Sequence, residues 1–311
     1  MSISLENKLV VLIGGNGFVG RHLAQDLLQR GARVRIAARN PEKALSVKPL
    51  ANLGQLQFAR CNVRDAQSIR AVVAGADAVV YLVGTFGKDA RQLHADAARE
   101  AAEAAATGRA VSFVYLSSLA ADAESEGMYA STKALGERAV LDAFPAATIL
   151  RPSVIFGKDD QFVSMFAGLI SVMPVLPVFG PDAQLQPVWV DDVAAAAANA
   201  LADPASHGGK TYELAGPDVM TMMELHEAIA AAQGRRRAFI PVPDALSGIF
   251  AALPGTPMSS DQWRMLKAGS VATGTLPGIT KLGITPRPLS LFLDKWMQRF
   301  RKHGRFTVQK A

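Results

Sequence analysis

Apolar positions in the first half of the chain fall into two alternating kinds of run. Leu9–Ile13, Arg33–Ala38, Gln57–Cys61, Ala78–Val83, Ser112–Leu116 and Ala147–Arg151 are short and dominated by apolar residues, as strands of a parallel sheet covered on both faces are. Between them the period lengthens. Phe18–Arg30 places Val19, Leu23, Leu27 and Leu28 at helical spacing and stops at Gly31, while Arg91–Thr107 and a segment holding Lys133–Phe144 read as further helices. Strand and helix in alternation predict βαβ units and an α/β, doubly wound parallel sheet that closes near residue 155.

Beyond that point the pattern weakens. Pro174, Pro177, Pro181 and Pro187 interrupt it, and one clear helical run remains, Val193–Leu201. The expected organisation is a nucleotide-binding domain over 1–155 and a smaller lobe over 156–311, interleaved with it. Asp191 and Asp192, just before Val193, are expected to cap that helix rather than to work as an acid pair. A second apolar stripe, Leu246, Ile249, Phe250 and Leu253, follows two prolines. Core packing is the first expectation for it, and contact with a membrane or partner the second.

Composition narrows the class. With 50% hydrophobic and 19% charged residues in 311, the chain has material for a large core and none of the bias of a disordered or repetitive protein. A single cysteine, Cys61, forms no internal disulfide and fits a reducing compartment, and five scattered histidines have no metal-ligand spacing. No signal peptide or membrane-spanning stretch is expected, since the first residues lead straight into the first strand and the most apolar later run, Leu169–Phe179, is broken by Pro174 and Pro177. A cytoplasmic protein is the implied reading.

The net charge of +6 has one source: residues 295–311 carry six Lys and Arg and no acid. Such a tail either aids solubility or attracts an anionic membrane face or acidic partner. Its aromatics, Trp296, Phe300 and Phe306, belong to no nucleic-acid-binding module. Arg235–Arg237 reads as a solvated loop charge.

The sharpest local signal is Gly14-Gly15-Asn16-Gly17-Phe18-Val19-Gly20, where the first strand meets the first helix. Gly14 permits the tight turn, Gly17 lets backbone approach a pyrophosphate, Gly20 lets helix and strand pack closely, and the helix N-terminus supplies amide donors. The second strand ends in Ala38-Arg39-Asn40 with no acid to hold a ribose 2′-hydroxyl, so Arg39, with Arg21 as a possible second cation, favours a 2′-phosphate and NADPH over NADH. Asn62 and Val63 are placed to flank the adenine. Val83 and Gly84 follow the fourth strand and complete the expected cleft.

A second constellation is Ser118, after the fifth strand, with Tyr129 and Lys133 one helical turn apart. The ammonium there, together with the positive nicotinamide, is expected to lower the phenol pKa towards the range of a general acid or base, with Ser118 orienting a substrate oxygen.

These motifs together resemble the short-chain dehydrogenase/reductase superfamily in its extended or atypical branch, alongside epimerases and dehydratases. Gly14-xx-Gly17-xx-Gly20, Asn62-Val63-Arg64-Asp65, Tyr129-xxx-Lys133, Arg151–Gly157 and Pro187–Ala194 stand in the family's order. The resemblance implies cofactor contacts from Asn16, Phe18, Tyr129, Lys133 and Pro152 as well. More narrowly, Arg151–Gln161, Val175–Val190 and Gly209–Pro217 are similar to the nucleotide-binding accessory subunit of respiratory complex I and its bacterial relatives, which implies tightly held NADPH in a structural role, association with complex I and its ubiquinone chemistry, and a peripheral place on the inner membrane. Ser118 departs from that group, which tends to lose this serine. An independent NADPH-dependent oxidoreductase or epimerase acting on a small carbonyl, sugar-nucleotide or quinone substrate therefore stays in play.

Overall fold

A computed structural model describes residues 4–253 and 258–301. The described residues form two compact units. One takes the chain up to Pro152 together with Val190–Leu214 and Thr273–Thr285; the other takes Ser153–Trp189, Ala215–Ala272 and the chain from Pro286 onward.

The first unit is built on a seven-stranded sheet: β1 Leu9–Ile13, β2 Arg33–Ala38, β3 Leu56–Arg60, β4 Ala78–Tyr81, β5 Ser112–Leu116, β6 Thr148–Pro152 and β7 Thr211–Leu214. All neighbours run parallel, in the order β7-β6-β5-β4-β1-β2-β3. Leu12 pairs with Ile36 on one side and Val80 on the other. Every residue of β1 and of β4 is buried, because helices cover both faces of these central strands. Helices α1 Phe18–Gln29, α2 Ala66–Val73, α3 Ala97–Thr107 and α4 Met128–Ala143 link the strands. On one face Val11, Ile13, Val79, Tyr81, Phe113, Tyr115 and Ile149 pack with Ile69 and Val72 of α2 and the alanines at 97, 98, 101, 102 and 105 of α3. Strand order reverses between β4 and β1, so the loops leaving their carboxyl ends open a crevice.

The predicted helix Arg91–Thr107 is helical throughout but not α-helical throughout. Gln92–Asp96 is a π turn ahead of α3, and the carbonyls it frees are taken by buried tyrosines, Tyr81 Oη donating to Leu93 at 2.6 Å and Tyr115 Oη to His94 at 2.9 Å. Strand β4 likewise ends at Tyr81, short of Val83. The expected cap at Asp191 and Asp192 is corrected too: the helix spans Val190–Ala202, so both acids lie inside its first turn, where a negative charge suits the helix dipole. Asp191 pairs with His22 of α1, and Asp192 is buried.

The second unit has three two-stranded pairings: Val175–Phe179 with Ala238–Val242, Ile155–Phe156 with Val188–Trp189, and Gln184–Leu185 with Met220–Thr221. Phe156, Val163, Ile170, Leu176, Val178, Leu225, Ile229 and Leu293 form its core. The helix Met222–Ala232 starts from a reciprocal cap in which Thr221 and Glu224 satisfy each other's backbone amides. Two expectations change in this unit. Of Arg235–Arg237 only Arg236 is an exposed charge, since Arg235 and Arg237 are half-buried and donate to the carbonyls of Phe300 at 3.1 Å and Ile170 at 2.8 Å. Of the stripe after the two prolines, Leu246, Ile249 and Leu253 are 57, 62 and 54% exposed, so they are not core; Phe250 alone stacks inward, on Phe179 at 4.8 Å.

Candidate dinucleotide site

The crevice at the strand-order reversal is lined by the residues that the glycine motif and strand ends nominate. Gly14 has φ +82°, a conformation natural to glycine, and its amide donates to Ala37 at 2.8 Å, tying the turn to the end of β2. A Cβ on Gly20 would lie 2.5 Å from the Gly15 Cα, so the absent side chain is what lets α1 sit against the turn. Gly17 caps α1 with no side chain of its own, and the first turn holds no acid. The leading amides of a helix have no intrahelical acceptor, and here neither a cap nor a carboxylate competes with an incoming anion.

A cavity of about 330 Å³ extends from this turn, lined by Gly14, Asn16 and Gly17, by Arg39 and Lys43 beyond β2, by Cys61, Asn62, Val63 and Arg64 beyond β3, and by Val83, Gly84 and Thr85 beyond β4. Asn16 Nδ2 donates to the Asn40 carbonyl at 3.0 Å and so holds the β2 loop beside the glycine turn. Phe18, Gly20 and Pro152 do not line it. Arg21 does not either: its guanidinium donates to the Asn16 carbonyl at 3.3 Å, and Lys43 stands near Arg39 instead. Arg64 forms an ion pair with Asp89 across the cavity wall, and the Arg64 guanidinium, the nearest cause, holds the Asp89 carboxyl below the usual range, with Arg39 adding to the effect. An uncapped helix end for a pyrophosphate, a left-handed glycine turn beneath it and cations rather than an acid beyond β2 all fit a nicotinamide dinucleotide. When bound, such a group supplies hydride chemistry; the chain supplies the cradle and the proton-carrying side chains.

Those side chains stand past Gly84. Lys133 is buried on α4, donates to the Leu116 carbonyl at 2.8 Å and would lie 3.9 Å from a Cβ on Gly84. Ser118 hydrogen-bonds the Tyr129 phenol and also accepts from the Ala120 amide at 3.2 Å, so the predicted Ser118, Tyr129 and Lys133 are brought together. In the chain by itself Lys133 does not lower the phenol pKa. Desolvation outweighs the Ser118 bond and pushes Tyr129 up to about 12, while desolvation pulls the Lys133 ammonium down to about 7 against the opposing effect of Glu137. Lys133 thus brings too little charge, with its Nζ 6.0 Å from the Tyr129 ring centre, to reverse the cost of burial.

Sequence reasoning missed the supports of this group. Glu137, one turn beyond Lys133, is buried; it accepts from Arg151 Nε at 2.8 Å and terminal guanidinium nitrogen at 2.6 Å, and from the Ser117 hydroxyl. The i, i+4 spacing of Tyr129, Lys133 and Glu137 on one helix was the available signal. Gly136 is required between them, since a Cβ there would fall 2.2 Å from the His94 carbonyl oxygen.

Fold and crevice are those of a Rossmann-like NAD(P)-binding domain. The family model described as NAD(P)H-binding matches residues 14–161. A nucleoside-diphosphate-sugar epimerase from Staphylococcus aureus shares the fold, with a TM-score of 0.73 at 16% identity over 92% of this chain and 99% of that one. The chain is 31% identical to the mitochondrial NADH dehydrogenase (ubiquinone) 1 alpha subcomplex subunit 9 of Mus musculus, over 96% of its own length and 82% of the relative's, and 29% identical to the ceramide reductase of Caulobacter vibrioides over 80% of each. It belongs to the family of the NADH dehydrogenase (ubiquinone) 1 alpha subcomplex subunit 9.

Proposed function

We propose that this protein is an NADPH-binding accessory component of a respiratory NADH:quinone oxidoreductase, and that it holds the dinucleotide chiefly as part of its own structure. The likeness to a complex I subunit along nearly the whole chain, through both units, carries this reading. Arg39 and Lys43 on the cavity wall, with no acid at the end of β2, support NADPH over NADH. The exposed Leu246, Ile249 and Leu253 and the cations of residues 295–311, of which 302–311 lie outside the described residues, support peripheral attachment to an anionic membrane face. No helix among the described residues is long and apolar enough to cross a membrane. In membranes of the source organism solubilised in mild detergent, the protein is expected to co-migrate with complex I on a native gel. Migration only as a free species would contradict the reading.

The Ser118–Tyr129 bond beside a buried Lys133 supports a second reading, an NADPH-dependent reductase of a carbonyl substrate. Similarity to a ceramide reductase adds weight to it.

A further inference from the structure

His94, on the π turn, is fully buried, and both its ring nitrogens are bonded. The Thr85 amide donates to Nε2 at 3.0 Å, and Nδ1 lies 2.9 Å from Thr132 Oγ1. Because that hydroxyl donates to the Met128 carbonyl at 2.6 Å, it accepts from the imidazole, which places the ring proton on Nδ1. A one-way chain of hydrogen bonds therefore runs from the Thr85 amide through the ring and Thr132 to Met128. It fastens the loop after β4 to the first turn of α4. Tyr129 stands at this junction: Phe86, next to Thr85, stacks on its ring at 4.5 Å, and the His94 ring meets it edge-on at 5.3 Å.

We propose that His94 is a positioning residue for the nicotinamide end of the dinucleotide site, holding Gly84 and Thr85 against the helix that carries Tyr129 and Lys133. The proposal rests on the dinucleotide reading of the cavity. A purely apolar residue of similar size would fill the same space but leave the half-buried Thr85 amide without its acceptor, and the loop would be free to leave α4. Burial first, and then the charge of Lys133, hold the imidazole near a pKa of about 3 against the opposing Asp89, so the neutral ring that the chain requires is the resident form.

The test separates the two ends of the site. Affinities of wild type, His94→Leu, Thr132→Val and His94→Gln are measured for NADPH, which spans the site, and for adenosine 2′,5′-bisphosphate, which occupies only the adenosine end. His94→Leu is expected to weaken NADPH about tenfold, the loss of one buried acceptor, and to leave the bisphosphate within twofold. Thr132→Val should show the same pattern with a smaller loss, and carries the test if His94→Leu does not fold. His94→Gln, whose Oε1 can accept from the Thr85 amide, should recover much of the NADPH affinity. Equal weakening of both ligands would reduce His94 to a general packing role, and unchanged NADPH affinity would remove it altogether; either result overturns the proposal. A wild-type protein that binds neither ligand would instead overturn the dinucleotide reading on which it stands.

Discussion

Arg151→Met is expected to destabilise the protein by about 3–5 kcal/mol, the usual consequence of leaving one buried charge of an ion pair alone. Glu137 is the charge left behind. In the wild type its two carboxylate oxygens are matched by the guanidinium at 2.8 and 2.6 Å, and Ser117 supplies one more donor. Methionine fills space without offering a donor, so the buried carboxylate would keep a single hydroxyl as its partner. At the size of this chain the loss corresponds to a fall of roughly 10 °C in the melting midpoint, read by far-ultraviolet circular dichroism. The double variant Glu137→Leu/Arg151→Met removes the stranded charge and should recover a large part of the loss. If the single variant melted like the wild type, Arg151 would not be supporting α4 through Glu137.

The second large effect concerns chemistry. In any assay in which the wild type reduces a carbonyl with NADPH, Tyr129→Phe should lower turnover by about 10²–10⁴-fold, the contribution expected of a positioned proton donor. The phenylalanine ring can occupy the same place beside Phe86 and His94, so NADPH affinity should stay near that of the wild type. Direction follows from the proton. With its pKa pushed up to about 12, the Tyr129 phenol holds its proton throughout the neutral range, which suits it to give that proton to a substrate oxygen in reduction rather than to take one in oxidation. Oxidation, which begins from the phenolate, should then be favoured by rising pH. Turnover unchanged by Tyr129→Phe would remove the phenol from proton transfer.

What could be seen in the sequence was local. Strands β1, β2 and β5 announce themselves because they are short and flanked by turn residues, and Gly14–Gly20 marks where the crevice opens, since Gly17 and Gly20 answer to contacts with Gly14 and Gly15 a few residues away. Features that depend on distant partners could not be seen. β7 is four residues long and includes Glu213, a charge that reads against a buried strand until Thr273 and Gly274 are found bonded to its carboxylate at 2.7 and 3.0 Å. The π turn inside the predicted helix is stabilised by hydroxyls from Tyr81 and Tyr115 on other elements. The same limit applied to the site. Ser118, Tyr129 and Lys133 were legible by spacing, but the direction of the Tyr129 and Lys133 shifts depends on burial, which only the assembled fold reveals.

The central claim is that the Gly14–Gly20 crevice holds a nicotinamide dinucleotide with Arg39 selecting the 2′-phosphate. Titration of the purified protein with NADPH and NADH, followed by quenching of intrinsic fluorescence and repeated on Arg39→Ala, tests it most directly. Wild type should bind NADPH at least tenfold more tightly than NADH, as befits a charge-assisted contact worth more than about 1.4 kcal/mol, and the substitution should narrow that gap by weakening NADPH alone. Equal affinity for the two dinucleotides in the wild type, or a preference that survives the loss of Arg39 unchanged, would contradict the account.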